Sequence, residues 1–112
     1  NPFTTTQAIS TLASTNGISI TTTPQPSGLT DARTFSNATN LWSNVTGSTL
    51  AANTAYSLFI RGLSTEVTGT NYTAGPSAFT YKATGTLNGN SVGITPTSTA
   101  NFILVGNPLQ HR

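Results

Sequence analysis

Short runs in which every second side chain is large and apolar are the feature that most constrains the fold of this chain. In residues 55–61, Tyr56 and Leu58 fall on the same side of an extended backbone. A period of two is the pattern of a β-strand. Comparable runs occur at residues 17–23 and 79–84. About a third of the chain is Thr or Ser, and Thr favours a pleated backbone, so the sequence predicts strands in these segments.

Gly, Pro and Asn separate these runs and predict turns between them. Asn88-Gly89 lies between residues 84–87 and 91–94, and Asn-Gly is a strong hairpin signal because both residues accept positive φ. Residues 102–105 are apolar on both sides, as in a strand buried between two layers. Only residues 7–14 resemble a helical turn, and their Ser and Thr content argues against a helix.

These patterns predict an all-β fold, an antiparallel β-sandwich of about six or seven strands that is Ig-like or jelly-roll-like. Residues 1–112 are expected to form a single module. Residues 1–16 are a candidate edge or exchanged strand, and 109–112 a flexible end. The side chains predicted to contribute to the core are Ile18, Ile20, Trp42, Tyr56, Leu58, Ile60, Phe79, Tyr81, Phe102 and Leu104.

Charged residues make up only 5% of the chain, which leaves few groups that could perform catalysis. Asp31 and Glu66 are the only carboxylates, and nothing in their spacing places them together as an acid and a base. We expect them to be surface charges or partners of Arg33 and Arg61. With no Cys and with His111 as the single histidine, the chain has no cluster of metal ligands. The prediction is a protein that is not an enzyme and that needs no metal and no cofactor.

The low charge also bears on the partners of the chain. Four basic side chains and a net charge of +2 give only a weak attraction to phosphates, so no nucleic-acid function is expected. No apolar run approaches the roughly 20 residues of a membrane helix, so no membrane insertion is expected. The absence of Cys is compatible with secretion for a domain of this size.

Two further features allow two interpretations each. Trp42, Tyr72 and Tyr81 could form a platform on which a sugar stacks, whereas a small sandwich could also use Trp42 and Tyr56 to fill its core. Three Asn-x-Thr sequons could be glycosylated in a host with the required enzymes, but such triplets also arise by chance in a chain rich in Asn and Thr. Their asparagines are Asn37, Asn44 and Asn71.

An ordered set of motifs lies in the second half of the chain. The motifs are Leu41-Trp42-Ser43-Asn44-Val45, residues 50–62 with Tyr56 and Arg61-Gly62, Ala83-Thr84-Gly85-Thr86-Leu87-Asn88-Gly89, and residues 101–108 ending in Gly106-Asn107-Pro108. Together, over roughly residues 42–108, they resemble a β-rich module of large secreted and cell-surface proteins of Bacteroidota, which typically use the type IX secretion pathway. Ala55 departs from the Gly of that pattern, and Leu109 departs from its Tyr. The resemblance implies an extracellular location, secreted or at the cell surface, and a non-enzymatic role.

We therefore expect a non-catalytic structural or adhesive module of a bacterial surface protein. Residues 3–19 contain no charge and no Pro, the two devices that normally protect an edge strand. Phe3, Ile9 and Leu12 are thus candidates for self-association by strand pairing into a fibre, with copies of the chain or neighbouring modules as partners. The alternative is a carbohydrate-binding module with glycans as partners.

Overall fold

The computed structural model of this chain describes residues 1–68, 71–72, 77–89 and 103–105. Within these residues the fold is rich in β-structure, all strand pairs are antiparallel, and there is one short helix. The coarse prediction of an antiparallel β-rich fold is confirmed. In chain order the elements are β1 (Gln7–Ala8), α1 (Ile9–Asn16), β2 (Ala32–Ser36), β3 (Leu41–Asn44), β4 (Thr49–Leu50), β5 (Tyr56–Leu58), β6 (Val67–Thr68) and β7 (Asn71–Tyr72).

The largest sheet in the described residues has three strands in the order β3-β2-β5. Arg33 of β2 pairs with Asn44 on one side and with Ser57 on the other. Strands β2 and β3 form a hairpin, and its turn ends at Asn40, which has a φ of 55° and donates its backbone N–H to the Ser36 carbonyl at 2.7 Å. Asn tolerates this left-handed conformation better than most residues.

The core lies between this sheet, helix α1 and the short β1–β4 pair. Ile9, Leu12, Ala32 and Leu50 are buried together. Several side chains that are partly buried pack against these four residues, and most of them were predicted to be in the core. They are Ile20, Val45, Tyr56, Leu58 and Ala83.

Helix α1 corrects the prediction of a strand in residues 1–16. Ile9 and Leu12 are three positions apart, so a helix brings both onto one face, where they are 4% and 3% exposed. Gly17 ends the helix in the left-handed conformation with a φ of 61°, and the Ile18 N–H donates to the Ala13 carbonyl at 3.0 Å. Burial and this C-terminal cap outweigh the poor helix propensity of Ser and Thr.

Further predicted strands are wrong in the described residues. Residues 17–23 contain only an isolated bridge from Ile18 to Leu63, and residues 79–84 form no strand. Residues 103–105 are also outside any strand, although Asn37 bonds both backbone groups of Leu104. The predictions for residues 91–94, Phe102, His111 and 109–112 fall outside the described residues.

The core prediction is confirmed for Ile18, which is 3% exposed, and wrong for Trp42 and Tyr81, which are 42% and 44% exposed. Trp42 lies on the face of the sheet that points away from the core. Ile60, Phe79 and Leu104 are partly buried.

Phe3 is buried within its own chain, as are Ile9 and Leu12. Phe3 forms an antiparallel bridge with Leu87, and the Thr4 N–H donates to the Thr86 carbonyl at 2.9 Å. All three side chains predicted to serve self-association therefore have an intramolecular role in this structure.

Candidate functional site

The three-stranded sheet has two different faces, because successive side chains of a strand point in opposite directions. Ala32, Tyr56 and Leu58 point to the core. Arg33 and Trp42 therefore lie on the opposite side, which we call the outer face, together with Phe35. The rings of Phe35 and Trp42 are 5.2 Å apart and tilted by 59°, a favourable aromatic contact.

A cleft of about 590 Å³ opens beside Arg33 on the outer face. It is lined by the turn at residues 25–30, by Arg33 and Ser57 of neighbouring strands, and by Phe59 and Arg61 beyond the end of β5. This volume lies in the range of small-molecule binding sites. The cleft is the strongest candidate for a functional site in the part of the chain that the structure describes.

The turn beside the cleft is held by backbone hydrogen bonds. The Gly28 N–H donates to the Gln25 carbonyl at 2.7 Å, and the Gln25 N–H donates to the Leu29 carbonyl at 2.9 Å. Pro26 suits the second position of such a turn, and Gly28 takes a φ of 80° that other residues rarely adopt. The cleft therefore has a wall whose shape is fixed before any ligand binds.

Asn44 of β3 joins this turn to the sheet. Its Oδ1 accepts the Thr30 N–H at 3.2 Å, and its Nδ2 donates to the Gly28 carbonyl at 2.7 Å. Asn37 uses its amide in the same way, with both atoms bonded to the backbone of Leu104. The sequon asparagines Asn37 and Asn44 thus form structural hydrogen bonds. The side chain of the third, Asn71, is not among the described ones.

A buried ion pair lies beside the cleft. Arg61 Nη2 is 3.2 Å from Asp31 Oδ2, and the two side chains are 7% and 4% exposed. The same Asp31 oxygen accepts the Thr21 N–H at 2.8 Å. The prediction that Asp31 pairs with an arginine is confirmed, whereas its placement at the surface is wrong, because burial is compensated by a charged partner and a backbone donor.

Arg33 lies over an aromatic ring rather than against a carboxylate. Its guanidinium carbon is 5.9 Å from the centroid of Trp42, within the range of a cation–π contact. Among the described residues, its Nε is buried without a hydrogen-bond partner and no carboxylate is within salt-bridge distance. The guanidinium is therefore positioned by packing, and its charge is not neutralised by an ion pair in that part of the chain.

The second carboxylate, Glu66, is engaged in fixing a loop. It accepts the Leu63 N–H at 3.0 Å and the Ser77 N–H at 3.2 Å, and the Ser77 hydroxyl also donates to it. The Ser77 hydroxyl and then the two backbone donors lower the pKa of Glu66 below its ordinary value. Each of the two carboxylates thus has its own hydrogen-bond partners.

The described residues contain no group of three or more His, Cys, Asp or Glu side chains that could hold a metal ion. No helix among them is long and apolar enough to cross a bilayer.

The structure does not bring Trp42 and Tyr81, two of the three predicted sugar-stacking residues, together. Trp42 lies on the outer face, whereas Tyr81 lines a smaller cavity of about 280 Å³ together with Leu12 and Leu58 on the core side of the sheet. Partial burial raises the pKa of the Tyr81 phenol above its ordinary value. The side chain of Tyr72 is not described.

Sequence reasoning missed the contribution of Gln25, Leu29 and Phe59 to the cleft. The segment from Gln25 to Gly28 carries a recognisable turn signal, Pro followed by Gly two residues later. Phe59 also alternates with the core residue Leu58 and so belongs to the opposite side of the strand. These signals could have indicated a turn and an exposed aromatic side chain. They could not have indicated that the turn and Phe59 line the same cleft.

No family model, no curated protein and no solved structure matches this chain. The functional proposal is therefore supported by the geometry of the cleft and by the motif resemblance described above.

Proposed function

We propose that this chain is a non-catalytic structural or adhesive module of an extracellular bacterial surface protein, and that the outer face of the β3-β2-β5 sheet is its binding surface. The motifs that resemble the Bacteroidota module support the location and the non-enzymatic role. The engagement of both carboxylates in local hydrogen bonds supports binding rather than catalysis.

The observation that carries the proposal is the exposure of large apolar side chains around one cleft. Leu29, Trp42 and Phe59 are 44%, 42% and 59% exposed. Phe59 and Leu29 line the cleft, and Trp42 is in contact with Arg33, which also lines it. Clustered apolar side chains rimmed by polar groups are typical of a recognition surface, because water contact with them is unfavourable until a partner covers them.

We propose an antiparallel β-sandwich as the architecture of this module. Support comes from the inner face of the β3-β2-β5 sheet, which is covered by Leu50 of the β1–β4 pair and by Ile9 and Leu12 of α1. A sheet with one covered face and one open face is the usual result of packing two layers.

Carbohydrate binding is the second candidate, and the composition of the cleft favours it. The cleft is lined by the exposed aromatic ring of Phe59, by Gln25 with its amide and by Ser57 with its hydroxyl. Sugars present an apolar ring face and a polar edge, so a site of this kind combines stacking with hydrogen bonds. Strand exchange by residues 1–16 is not part of the proposal, because Phe3, Ile9 and Leu12 are buried in their own chain.

The proposal is tested by adhesion under flow. Beads that display the whole chain are passed over a panel of immobilised polysaccharides and extracellular proteins, and the soluble fraction is analysed for cleaved fragments. We expect retention on at least one surface and no fragments. The double variant Trp42→Ala, Phe59→Ala should lose retention. Leu41→Ala should retain it, because Leu41 is 64% exposed but lies on the opposite face of the same sheet.

Failure of the unmodified chain to bind any surface, or release of fragments, would contradict the proposed role. Equal retention by the double variant and by Leu41→Ala would place the binding surface elsewhere.

A further inference from the structure

The charges of the cleft do not balance. Asp31, Arg33 and Arg61 all line it, and their formal charges sum to +1. Asp31 and Arg61 neutralise each other in the buried ion pair. The remaining positive charge belongs to Arg33, so the cleft is electrostatically suited to a ligand with one negative group.

The chain has no further carboxylate side chain with which to neutralise Arg33. Asp31 and Glu66 are the only two in the whole sequence, and the structure engages one with Arg61 and the other with Ser77. An arginine held over an aromatic ring loses little conformational freedom when it binds, and its planar fork matches the two oxygens of a carboxylate. The contact with Trp42 thus holds Arg33 ready for an external anion.

The rest of the cleft fits a sugar ring. Phe59 and Leu29 provide exposed apolar surface, and Gln25 and Ser57 provide an amide and a hydroxyl. An extended peptide would pair with a free strand edge, whereas Arg33 lies on the central strand β2, which is paired on both sides. A ligand in the cleft would therefore bind to side chains rather than to backbone groups.

We propose that the cleft binds an acidic saccharide built from uronic acid residues, with the carboxylate on the Arg33 guanidinium and the apolar ring face against Phe59. This inference rests on the proposed function, since it names the ligand class of the same surface.

The test is a titration of the whole chain with trigalacturonate, with its methyl ester as the neutral control. Trp42 is the only tryptophan and lies 5.9 Å from the Arg33 guanidinium, so its fluorescence reports occupancy. The ¹⁵N-edited resonance of the Arg33 Nε–H reports the contact itself. We expect trigalacturonate to change both signals and to bind about 10- to 100-fold more tightly than the ester, as for the loss of a charge-assisted hydrogen bond.

Variants distinguish a specific contact from general attraction. Arg33→Gln should weaken binding of trigalacturonate about 10- to 100-fold, measured by calorimetry. Arg33→Lys, which keeps the charge but loses the fork, should give a smaller loss. Lys82→Gln is the matched control, because it removes the same charge at an exposed position outside the cleft and should change affinity less than about twofold. Circular dichroism of each variant verifies folding.

Three outcomes would overturn the inference. Equal affinity for trigalacturonate and its ester would show that no carboxylate is recognised, and equal loss in Arg33→Gln and Lys82→Gln would show nonspecific attraction. A response of the Arg33 resonance to an acetylated tripeptide with a free carboxyl end, but not to trigalacturonate, would assign the cleft to a peptide. If the beads still adhere in any of these cases, the proposed function stands and only the ligand class is wrong. If both bead adhesion and binding of trigalacturonate are lost, the proposed function is contradicted as well.

Discussion

Arg61 and Asp31 form an ion pair of 3.2 Å that is almost completely shielded from water, although they are 30 positions apart in the chain. The pair connects the residue before β2 with the segment that follows β5. The Phe59 N–H also donates to the Asp31 carbonyl at 2.7 Å, so backbone and side chain hold the same junction. Asp31 thus holds Phe59 at the cleft that Arg33 also lines.

Arg61→Ala is expected to destabilise the fold by about 3–5 kcal/mol, because it leaves the Asp31 carboxylate buried without its charged partner. The free energy of unfolding from urea titrations is the measurement. Asp31→Ala should cost a similar amount, and the double variant much less than the sum of the two. Additive losses would show that the two side chains do not interact in solution.

Gly85→Ala is expected to destabilise the fold by about 1–3 kcal/mol, as overpacking does in a filled core. A Cβ at Gly85 would lie 2.6 Å from Cγ of the Phe3 ring. Gly47→Ala is the control, since nothing lies within 4 Å of its Cβ position. In a Phe3→Leu background the penalty of Gly85→Ala should shrink, and an unchanged penalty would mean that Phe3 is not the neighbour.

Glu66 is expected to make stability depend on pH in the acid range. Its pKa is lowered in the folded state from the ordinary 4.5, chiefly by the Ser77 hydroxyl. The folded state therefore binds the proton less readily than the unfolded state. The contribution is fully present well above pH 4.5, declines as the pH falls through 4.5, and is lost below the lowered pKa.

Thermal unfolding across this pH range, compared with Glu66→Gln, provides the measurement. The Gln variant should show a flatter acid dependence than the unmodified chain. Ser77→Ala should also flatten it, because this substitution removes the largest cause of the shift. An identical acid profile in all three proteins would contradict the assignment.

Asn44→Ala is expected to cost about 1–3 kcal/mol, because the Thr30 N–H and the Gly28 carbonyl both lose their partner. Asn44→Asp keeps the acceptor for Thr30 but places a second acceptor oxygen against the Gly28 carbonyl, so it should also destabilise the fold. Ser43→Ala, at an exposed neighbouring position, is the control. If Asn44→Ala also weakens ligand binding while the chain stays folded, the Asn44 amide is needed to hold the turn in the position that forms the wall of the cleft.

The strand β5 could be predicted from the sequence because its alternation reflects a real difference between the two faces of the sheet. The size of Trp42 favours a place in the core of a small sandwich, but a single large aromatic does not indicate which face of a sheet is covered. Its cross-strand partner, Phe35, and the nearby Arg33 share its face, and a charged residue two positions from an aromatic in β2 was the available sign that this face is open.

Helix α1 could not be predicted from propensity, because Ser and Thr disfavour helices and tertiary burial decided the outcome. Asn16-Gly17 was nevertheless a recognisable end signal for a helix, and Ile9 and Leu12 had helical spacing. The cleft joins residues 25–30 with residues 57–61, a contact between distant segments that no local pattern specifies.

Leu12→Ala decides between the two roles considered for the N-terminal segment. In the structure, Leu12 is 3% exposed and packs with Ile9 and Leu50 inside its own chain. Its truncation should therefore destabilise the monomer by about 2–5 kcal/mol and leave the sedimentation coefficient of the remaining folded protein unchanged.

If this segment instead donated its apolar side chains to a neighbouring copy, the unmodified chain would sediment as a concentration-dependent assembly. Leu12→Ala would then dissociate that assembly without lowering the stability of the monomer. Ser10→Ala, on the exposed side of the same helix, is the matched control. It should leave the sedimentation coefficient unchanged and should not lower the stability, because the position is open to solvent and Ala is a better helix former than Ser.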